Sequence, residues 1–321
     1  MLSFFVIQCQ TNPPTTPDTN INNGRISVSS NVDGASIFLD DELTGQVTPD
    51  TITSTIGNHE IRLEKDGYYS ASSEVQVNAN STENIYINME SIIVQKVVLL
   101  EDFANVSCTP CVISNQIIEK LANETFGETR LVVVKFPTNF PSPVDPFYLA
   151  SSQACDTRLE FYNPIFIAPT VIIDGINRPT ATDEESVVSA INERLHVESP
   201  FELTVTDIIV NNRLSVSIFV KCLNADAVNY ENLVLHTVLT ETDITFDSPP
   251  GSNGETSFYN VMRKMLPSSD GEIVTPLGNR EERQYIWNTE TSNNWQKDNL
   301  HVVVFLQDRV TKNIYQSAVS D

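Results

Sequence analysis

At 321 residues, with 42 acidic against 19 basic side chains and a formal charge of −23, the chain is too long for one ordinary domain. It is also too acidic to offer the basic stripe that binding nucleic acid requires, so its charge reads as a solvated surface, with recruitment of a basic partner as the alternative. A hydrophobic fraction of 40% with 11 glycines and 17 prolines excludes a disordered or fibrous protein for most of the length, and no run reaches the roughly 18 apolar residues that span a bilayer.

Met1 to Ile7 is apolar and ends at Gln8-Cys9, after which Thr11 to Asn23 is polar and carries Pro13, Pro14 and Pro17. This resembles the end of a bacterial lipoprotein signal peptide. The resemblance implies lipidation of Cys9, attachment to a membrane through that lipid, and residues 1–23 as leader remnant and tether. An ordinary secretory remnant, or a plain N-terminus with an incidental cysteine, is the alternative.

From Gly24 to about Met89 short runs alternate apolar and polar residues: Ile26-Val28, Ala35-Ile37-Leu39, Ile61-Leu63, Val75-Val77 and Ile85-Ile87. They predict the strands of a small half-buried sheet punctuated by turns at Asp33-Gly34, Asp40-Asp41, Gly45, Gly57-Asn58 and Asp66-Gly67. Val32-Asp33-Gly34-Ala35, Thr48-Pro49, Gly57-Asn58-His59 and Lys65-Asp66-Gly67-Tyr68 together resemble the PEGA domain, which implies a small β-sandwich over residues 24–91 serving as spacer or surface-binding module. Asp40-Asp41-Glu42 clusters carboxylates as a hard-cation site would. Consecutive turn residues diverge, however, and no second ligand cluster is visible, so a solvated turn is the reading.

The middle of the chain changes character. Val97-Val98-Leu99-Leu100 suits a strand covered on both faces. Val112, Ile113, Ile117, Ile118 and Leu121 recur at helical spacing, and Leu131-Val132-Val133-Val134 predicts a second buried strand. After an insertion, Thr170-Val171-Ile172-Ile173 predicts a third, turning at Asp174-Gly175 into a short strand around Ile176. Asp183 to Leu195 closes the segment as a helix capped near Asp183. This β-α-β, insertion, β-β-α order, taken over residues 92–198 with Cys108-Thr109-Pro110-Cys111 between the first strand and helix, resembles thioredoxin.

A CxxC pair can hold a metal with a second ligand pair, cycle between dithiol and disulfide, or stand as a static disulfide. No second pair is apparent, because the histidines are scattered singly at 59, 196, 236 and 301; neither metal nor cofactor is expected. At a strand-to-helix junction Cys108 lies near unpaired N–H groups and the positive end of the helix dipole, which favour its thiolate. The reading needs that sulfur partly exposed and reachable by solvent, with Cys111 more buried and resolving the mixed disulfide. Pro110 sits in the first turn, where its missing N–H costs little. The thioredoxin resemblance further implies that Asp102 is the buried carboxylate that relays the resolving thiol's proton, with Glu101 second. It also implies that Pro169 is the cis-proline facing the dithiol, and that Ala168, Thr109 and Pro110 form the substrate-contacting rim. Ser107 stands where thioredoxins commonly carry tryptophan, which leaves activity open between redox exchange and a structural disulfide. Cys155 and Cys222 read as buried free thiols, with a bridge between them as a minor alternative.

From about Ser199 onward Leu203-Val205, Leu214-Val216-Ile218-Val220, Leu233-Leu235-Val238, Val302-Val304 and Ile314-Tyr315 predict strands, hence an antiparallel C-terminal sandwich over 199–321. Val98 to Phe103 leading into the CxxC, Phe258-Tyr259-Asn260-Val261-Met262-Arg263 with Gly271, and Val303 to Asp308 are similar to landmarks of the Omp28-related family of Bacteroidetes envelope proteins. That resemblance implies an exported, lipid-anchored outer-membrane protein with a thioredoxin-like domain followed by a β-domain. Two functions follow as expectations: a thiol-disulfide oxidoreductase acting on exported protein thiols and disulfides, or a non-enzymatic binding or adhesion scaffold.

Overall fold

A computed structural model describes residues 23–92 and 94–320; the expected leader and the Cys9 lipidation site lie outside the described residues. The chain divides between Ser91 and Ile92 into two compact units. It is mostly β, with several sheets.

The first unit has seven strands, β1 (Asn23–Ser30), β2 (Ser36–Leu39), β3 (Glu42–Val47), β4 (Asp50–Thr55), β5 (Gly57–Glu64), β6 (Ala71–Val77) and β7 (Thr82–Ile87). They form two sheets, ordered β4-β1-β7 and β3-β2-β5-β6. Alternate residues of both sheets, among them Ile26, Val28, Ile37, Ile61, Leu63 and Val77, meet in one core. Strands β3 and β4 escape the sequence pattern because ELTGQV buries nothing and DTITST buries only Ile52 and Ser54. The Asp40-Asp41 turn takes positive φ at both residues, the geometry of a two-residue hairpin. Its carboxylates diverge: Asp40 accepts from His59 Nδ1 (2.6 Å) and Glu60 N (2.9 Å), while Asp41 meets Arg62 (3.3 Å).

In the second unit β8 (Val98–Ala104) and β9 (Leu131–Pro137) run parallel, joined through α1 (Cys111–Lys120) and a π-helical turn at Leu121–Phe126. After α2 (Pro146–Ala150) and α3 (Ser152–Phe161), β10 (Thr170–Ile173) pairs antiparallel with β8, and α4 (Glu184–Leu195) follows. Side chains of β8 alternate: Val98 and Leu100 pack with Ile118 of α1 and Val187 and Ile191 of α4, whereas Leu99 and Phe103 face Cys155 of α3 and Tyr162 just beyond it. Asp183 caps α4 as expected, its Oδ1 accepting from Glu185 N at 3.1 Å.

The remaining strands are β11 (Phe201–Val210), β12 (Arg213–Cys222), β13 (Leu233–Glu241), β14 (Ile244–Thr245), β15 (Ser257–Phe258), β16 (Val261–Leu266), β17 (Glu272–Ile273), β18 (Glu282–Glu290), β19 (Leu300–Asp308) and β20 (Ile314–Val319). The expected separation at 198/199 does not appear. One sheet runs β10-β8-β9-β16-β13-β19-β20, with β17 on β13, so residues on both sides of that position share it. The join is short and parallel, Val261 opposite Lys135, with Lys135 N donating to Asn260 O at 2.8 Å. It covers what would be the open edge of β9, all of whose seven residues are buried. The sandwich exists in a modified form: β11-β12-β18 stacks on the distal half of the shared sheet around Leu214, Val216, Leu235 and Val304.

A second expectation also changes. Beyond β10 there is no strand at Ile176, only a single bridge between Ile173 and Asn177, and Ile176 is exposed. The turn instead serves Asp174, which is fully buried. Its Oδ1 accepts from Leu99 N (2.9 Å), and its Oδ2 meets Arg194 Nε (3.0 Å) and Lys96 Nζ (3.1 Å). Gly175, at φ 78°, packs so tightly that an added Cβ would lie 1.9 Å from Lys312 O.

Candidate functional site

The β8 strand ends at Ala104 and hands over to a tight loop, Asn105 to Thr109, that delivers Cys108 to the start of α1. The loop is held from within. Cys108 N donates to Asn105 O (3.0 Å), Ser107 N to Asn105 Oδ1 (2.9 Å), and Asn105 Nδ2 to Thr138 O (2.6 Å) and Ser142 O (2.9 Å). Val106 N donates to Asp145 Oδ2 (2.9 Å), whose other oxygen caps α2; burial raises the Asp145 carboxyl above the usual range. Pro110 occupies the N-cap position of α1 at φ −69°.

Cys108 and Cys111 form a disulfide, S–S 2.10 Å, with Cα atoms 5.3 Å apart. The expected partial exposure of Cys108 is corrected: it is 2% exposed and Cys111 0%. Both sulfur-bearing residues pack against Ala104 and Ala168. Thr109 and Pro110 form the exposed outer corner of the loop. The Ala168–Pro169 peptide is cis and borders a groove of about 540 Å³ lined by Pro110, Phe166, Ile167, Ala168, Pro169 and Arg178. Phe166 and Ile167 stand exposed on its rim at 77% and 71%.

Asp102 and Glu101 are both fully buried, and strand alternation sends them to opposite faces. Asp102 shares its face with Ala104, the dithiol's neighbour, and its Oδ2 pairs with Lys135 Nζ of β9. Lys135 Nζ also donates to Asn115 Oδ1, one turn of α1 beyond Cys111 on the same helical face. Asp102 Oδ1 has no hydrogen-bond partner among the described residues. Glu101 on the reverse face is fully engaged. Arg158 Nε and Nη2 reach its two oxygens at 2.6 and 2.9 Å, Tyr162 donates its hydroxyl to the same carboxylate, and Gln307 Oε1 accepts from Arg158 at 2.8 Å. Of the two carboxylates, only Asp102 lies on the dithiol side.

Chemically, the arrangement offers a disulfide at the positive end of a ten-residue helix whose first turn carries no acidic residue, with a lysine ammonium on the same side of the sheet. Both features stabilise a thiolate released when the bond opens. Cys155 and Cys222 are free and buried in separate cores, so the alternative of a bridge between them is ruled out. Burial raises both thiols above the ordinary range.

Several site residues were not foreseen from the sequence. Lys135 was detectable as a lone charge within the apolar run LVVVKFP, and Asp145-Pro146 as a cap with proline at the first helical position. Asn115 carried no signal. Neither did Asn253 and Glu255, which reach the dithiol loop from β14–β15: Asn253 Nδ2 lies 3.4 Å from Cys108 O, and Glu255 Oε1 accepts from Asn115 Nδ2 at 2.7 Å.

Fold and site together define a multidomain, mostly β protein in which a small two-sheet unit precedes a larger mixed-sheet unit carrying a disulfide at a strand-to-helix junction. Residues 23–92 match the PEGA domain family, so the N-terminal unit is a PEGA domain. Comparison with curated proteins finds no match to this chain. Among solved structures, HBP35 of Porphyromonas gingivalis is similar at 12% identity, covering 70% of this chain and 74% of that one with a TM-score of 0.56, a likeness of fold. A protein of Agrobacterium tumefaciens (11% identity, 70% and 95% covered, TM-score 0.47) matches more loosely. So does a domain of the outer membrane lipoprotein Omp28 from Porphyromonas gingivalis (16%, 38% and 86%, TM-score 0.26), and neither of these two bears on function. No helix among the described residues is long and apolar enough to cross a membrane.

Proposed function

We propose that this chain is an Omp28-related cell-envelope protein, lipid-anchored at Cys9 to the outer membrane, whose thioredoxin-like portion exchanges disulfides with exported proteins through Cys108 and Cys111. The observation that carries the redox half is Asp102. Its Oδ2 is paired with Lys135 and its Oδ1 has no partner among the described residues, and a static disulfide has no use for a buried base on its own face of the sheet. A dithiol does, because opening the bond releases a thiolate at Cys111 that must take a proton, and reclosing it must return one.

In the oxidised form an incoming partner thiolate attacks Cys108 Sγ, the Cys108–Cys111 bond breaks, and Cys111 leaves as a thiolate that is protonated from solvent; in the reverse direction the Asp102 carboxylate is the base on that face of the sheet for the Cys111 proton. A second partner thiolate then attacks the partner sulfur of the mixed disulfide and expels Cys108, leaving the partner oxidised and the pair reduced. The reverse sequence reduces a partner disulfide, with Cys108 attacking and Cys111 resolving. The groove at Ala168–Pro169 supplies backbone for an extended partner chain to pair with. The leader resemblance and the PEGA domain support the envelope half, and a disulfide is at home in that oxidising compartment.

One observation favours the second reading, a binding scaffold stapled by a structural disulfide: Cys108 is only 2% exposed. An insulin-reduction assay comparing the parent with Cys108→Ser separates the two. Loss of activity in the variant supports exchange, and equal rates end it. Trapping with Cys111→Ser should recover exported proteins as mixed disulfides, and an empty trap favours the scaffold.

A further inference from the structure

Cys108 is sealed to 2% exposure, and the loop that carries it has two kinds of neighbour. Toward Ala168 and Pro169 the loop borders the open groove. On the other side residues 250–255, the connection between β14 and β15, lie along the backbone of Val106 to Cys108. Asn253 N donates to Val106 O at 3.2 Å and Ser252 N to Ser107 Oγ at 3.3 Å. Asn253 Nδ2 reaches Cys108 O at 3.4 Å, and Gly251 lies so close that an added Cβ would stand 2.2 Å from Val106 O.

The two ends of this connection are anchored differently from its middle. Phe246 and Phe258 pack edge-on against each other and against Phe147, centroids 5.0–5.9 Å apart, with Phe258 and Phe147 in one apolar cluster with Val106. The middle is polar, exposed at Ser252 and Gly254, and held by hydrogen bonds. Glu255 ties it inward: its carboxylate accepts from Asn253 Nδ2 (2.5 Å) and from Asn115 Nδ2 (2.7 Å), and Asn115 accepts from the lysine that pairs with Asp102. Firm feet with a polar, hydrogen-bonded span describe a strap laid along the loop backbone.

We propose that residues 250–255 determine which partners reach Cys108: the strap bars folded proteins from that side and leaves the Ala168–Pro169 side to extended polypeptide segments. This rests on the exchange reading above. The exposed Phe166 and Ile167 at the groove rim match such a segment if it carries apolar side chains beside its cysteine. The strap residues touch the loop backbone and not the reacting sulfurs, so they act on access and position.

The test uses the full chain in its oxidised form and three reductants: dithiothreitol, an unfolded peptide with two cysteines among apolar residues, and a folded protein dithiol. Reduction is followed by alkylation and mass. In the parent the peptide should react about tenfold faster than the folded dithiol, since access governs exchange rates between thiols of similar acidity. Gly251→Ala, which forces the strap off Val106, should raise the folded dithiol's rate at least about fivefold while moving the peptide's less than about twofold. Asn253→Ala, which removes the amide bonded to Cys108 O and Glu255 without adding an atom to the strap, should shift it the same way and covers the case in which Gly251→Ala does not fold. Unchanged selectivity in a folded variant overturns the strap while leaving exchange intact. A pair that resists all three reductants in parent and variants overturns exchange itself, and the strap with it.

Discussion

Arg158→Met tests the claim that the larger unit is bound together from the reverse face of the sheet. Arg158 is 2% exposed, and its guanidinium makes a two-pronged bond to Glu101 on β8 and a third bond to Gln307 on β19, while Tyr162 holds the same carboxylate. Methionine fills most of the volume beside Phe161 and Phe305, although the guanidinium's stacking over those rings, 4.7 and 5.1 Å from its carbon, goes as well. The main loss is therefore the ion partner of Glu101, which is 0% exposed. Removing one member of a buried pair typically costs about 3–5 kcal/mol, because the other charge is left uncompensated. For a unit of this size that is a fall of about 6–20 °C in its Tm. The assay is calorimetry or far-UV circular dichroism, reading the transition of the larger unit and using the PEGA domain as an internal reference. Adding Glu101→Gln should restore much of the loss, since the stranded charge goes with it. A fall below about 1 kcal/mol in the single variant, within the range of an exposed pair, would refute the reasoning.

A chain ending at residue 198 should fail to give a folded larger unit, because β9 loses β16 and Arg158 and Tyr162 lose Gln307; a cooperative thermal transition from residues 92–198 alone would contradict this. Lys96, 1% exposed, has its ammonium pushed down to about 8 by burial, against the pull of Asp174. Between that value and the ordinary lysine value of 10.5 the unfolded chain therefore binds more protons than the folded one, so this group makes stability rise with pH across the window. Relative to Lys96→Met, the parent should gain up to roughly 3 kcal/mol from pH 8 to 10.5, and parallel denaturation curves for the two would disprove it. Asp102→Asn should slow disulfide turnover by at least about tenfold near neutrality, with the deficit shrinking as hydroxide takes over the proton; a flat, parent-like pH profile would remove Asp102 from the mechanism. Gly175→Ala should destabilise by more than about 1 kcal/mol, from strain at positive φ and the clash with Lys312 O, and a neutral result in chemical denaturation would count against that packing.

What the sequence determined by itself is local. Alternation placed β1, β5, β6, β11 and β12, the apolar runs placed β8, β9 and β10, and helical spacing with Asp183 as cap placed α1 and α4, because each pattern reports only which face of one element is buried. The chemistry of Cys108-Thr109-Pro110-Cys111 was legible for the same reason: its spacing is set within one helical turn. Where burial contradicted composition the pattern failed. Helix α3, SQACDTRLEF, buries Arg158, so its inner face did not look apolar, and β3 shows no alternation because it buries nothing.

Only the tertiary structure decided the rest. The joining of β9 to β16 merged two expected domains into one sheet, since an open strand edge is satisfied by whichever segment reaches it, however distant in the chain. The same folding brought Ser252 and Asn253 onto a loop 145 residues earlier and Glu255 onto α1 140 residues earlier, and left Cys108 at 2% exposure. No pattern within the CxxC segment encodes that cover, because solvent access belongs to the surroundings that distant residues build.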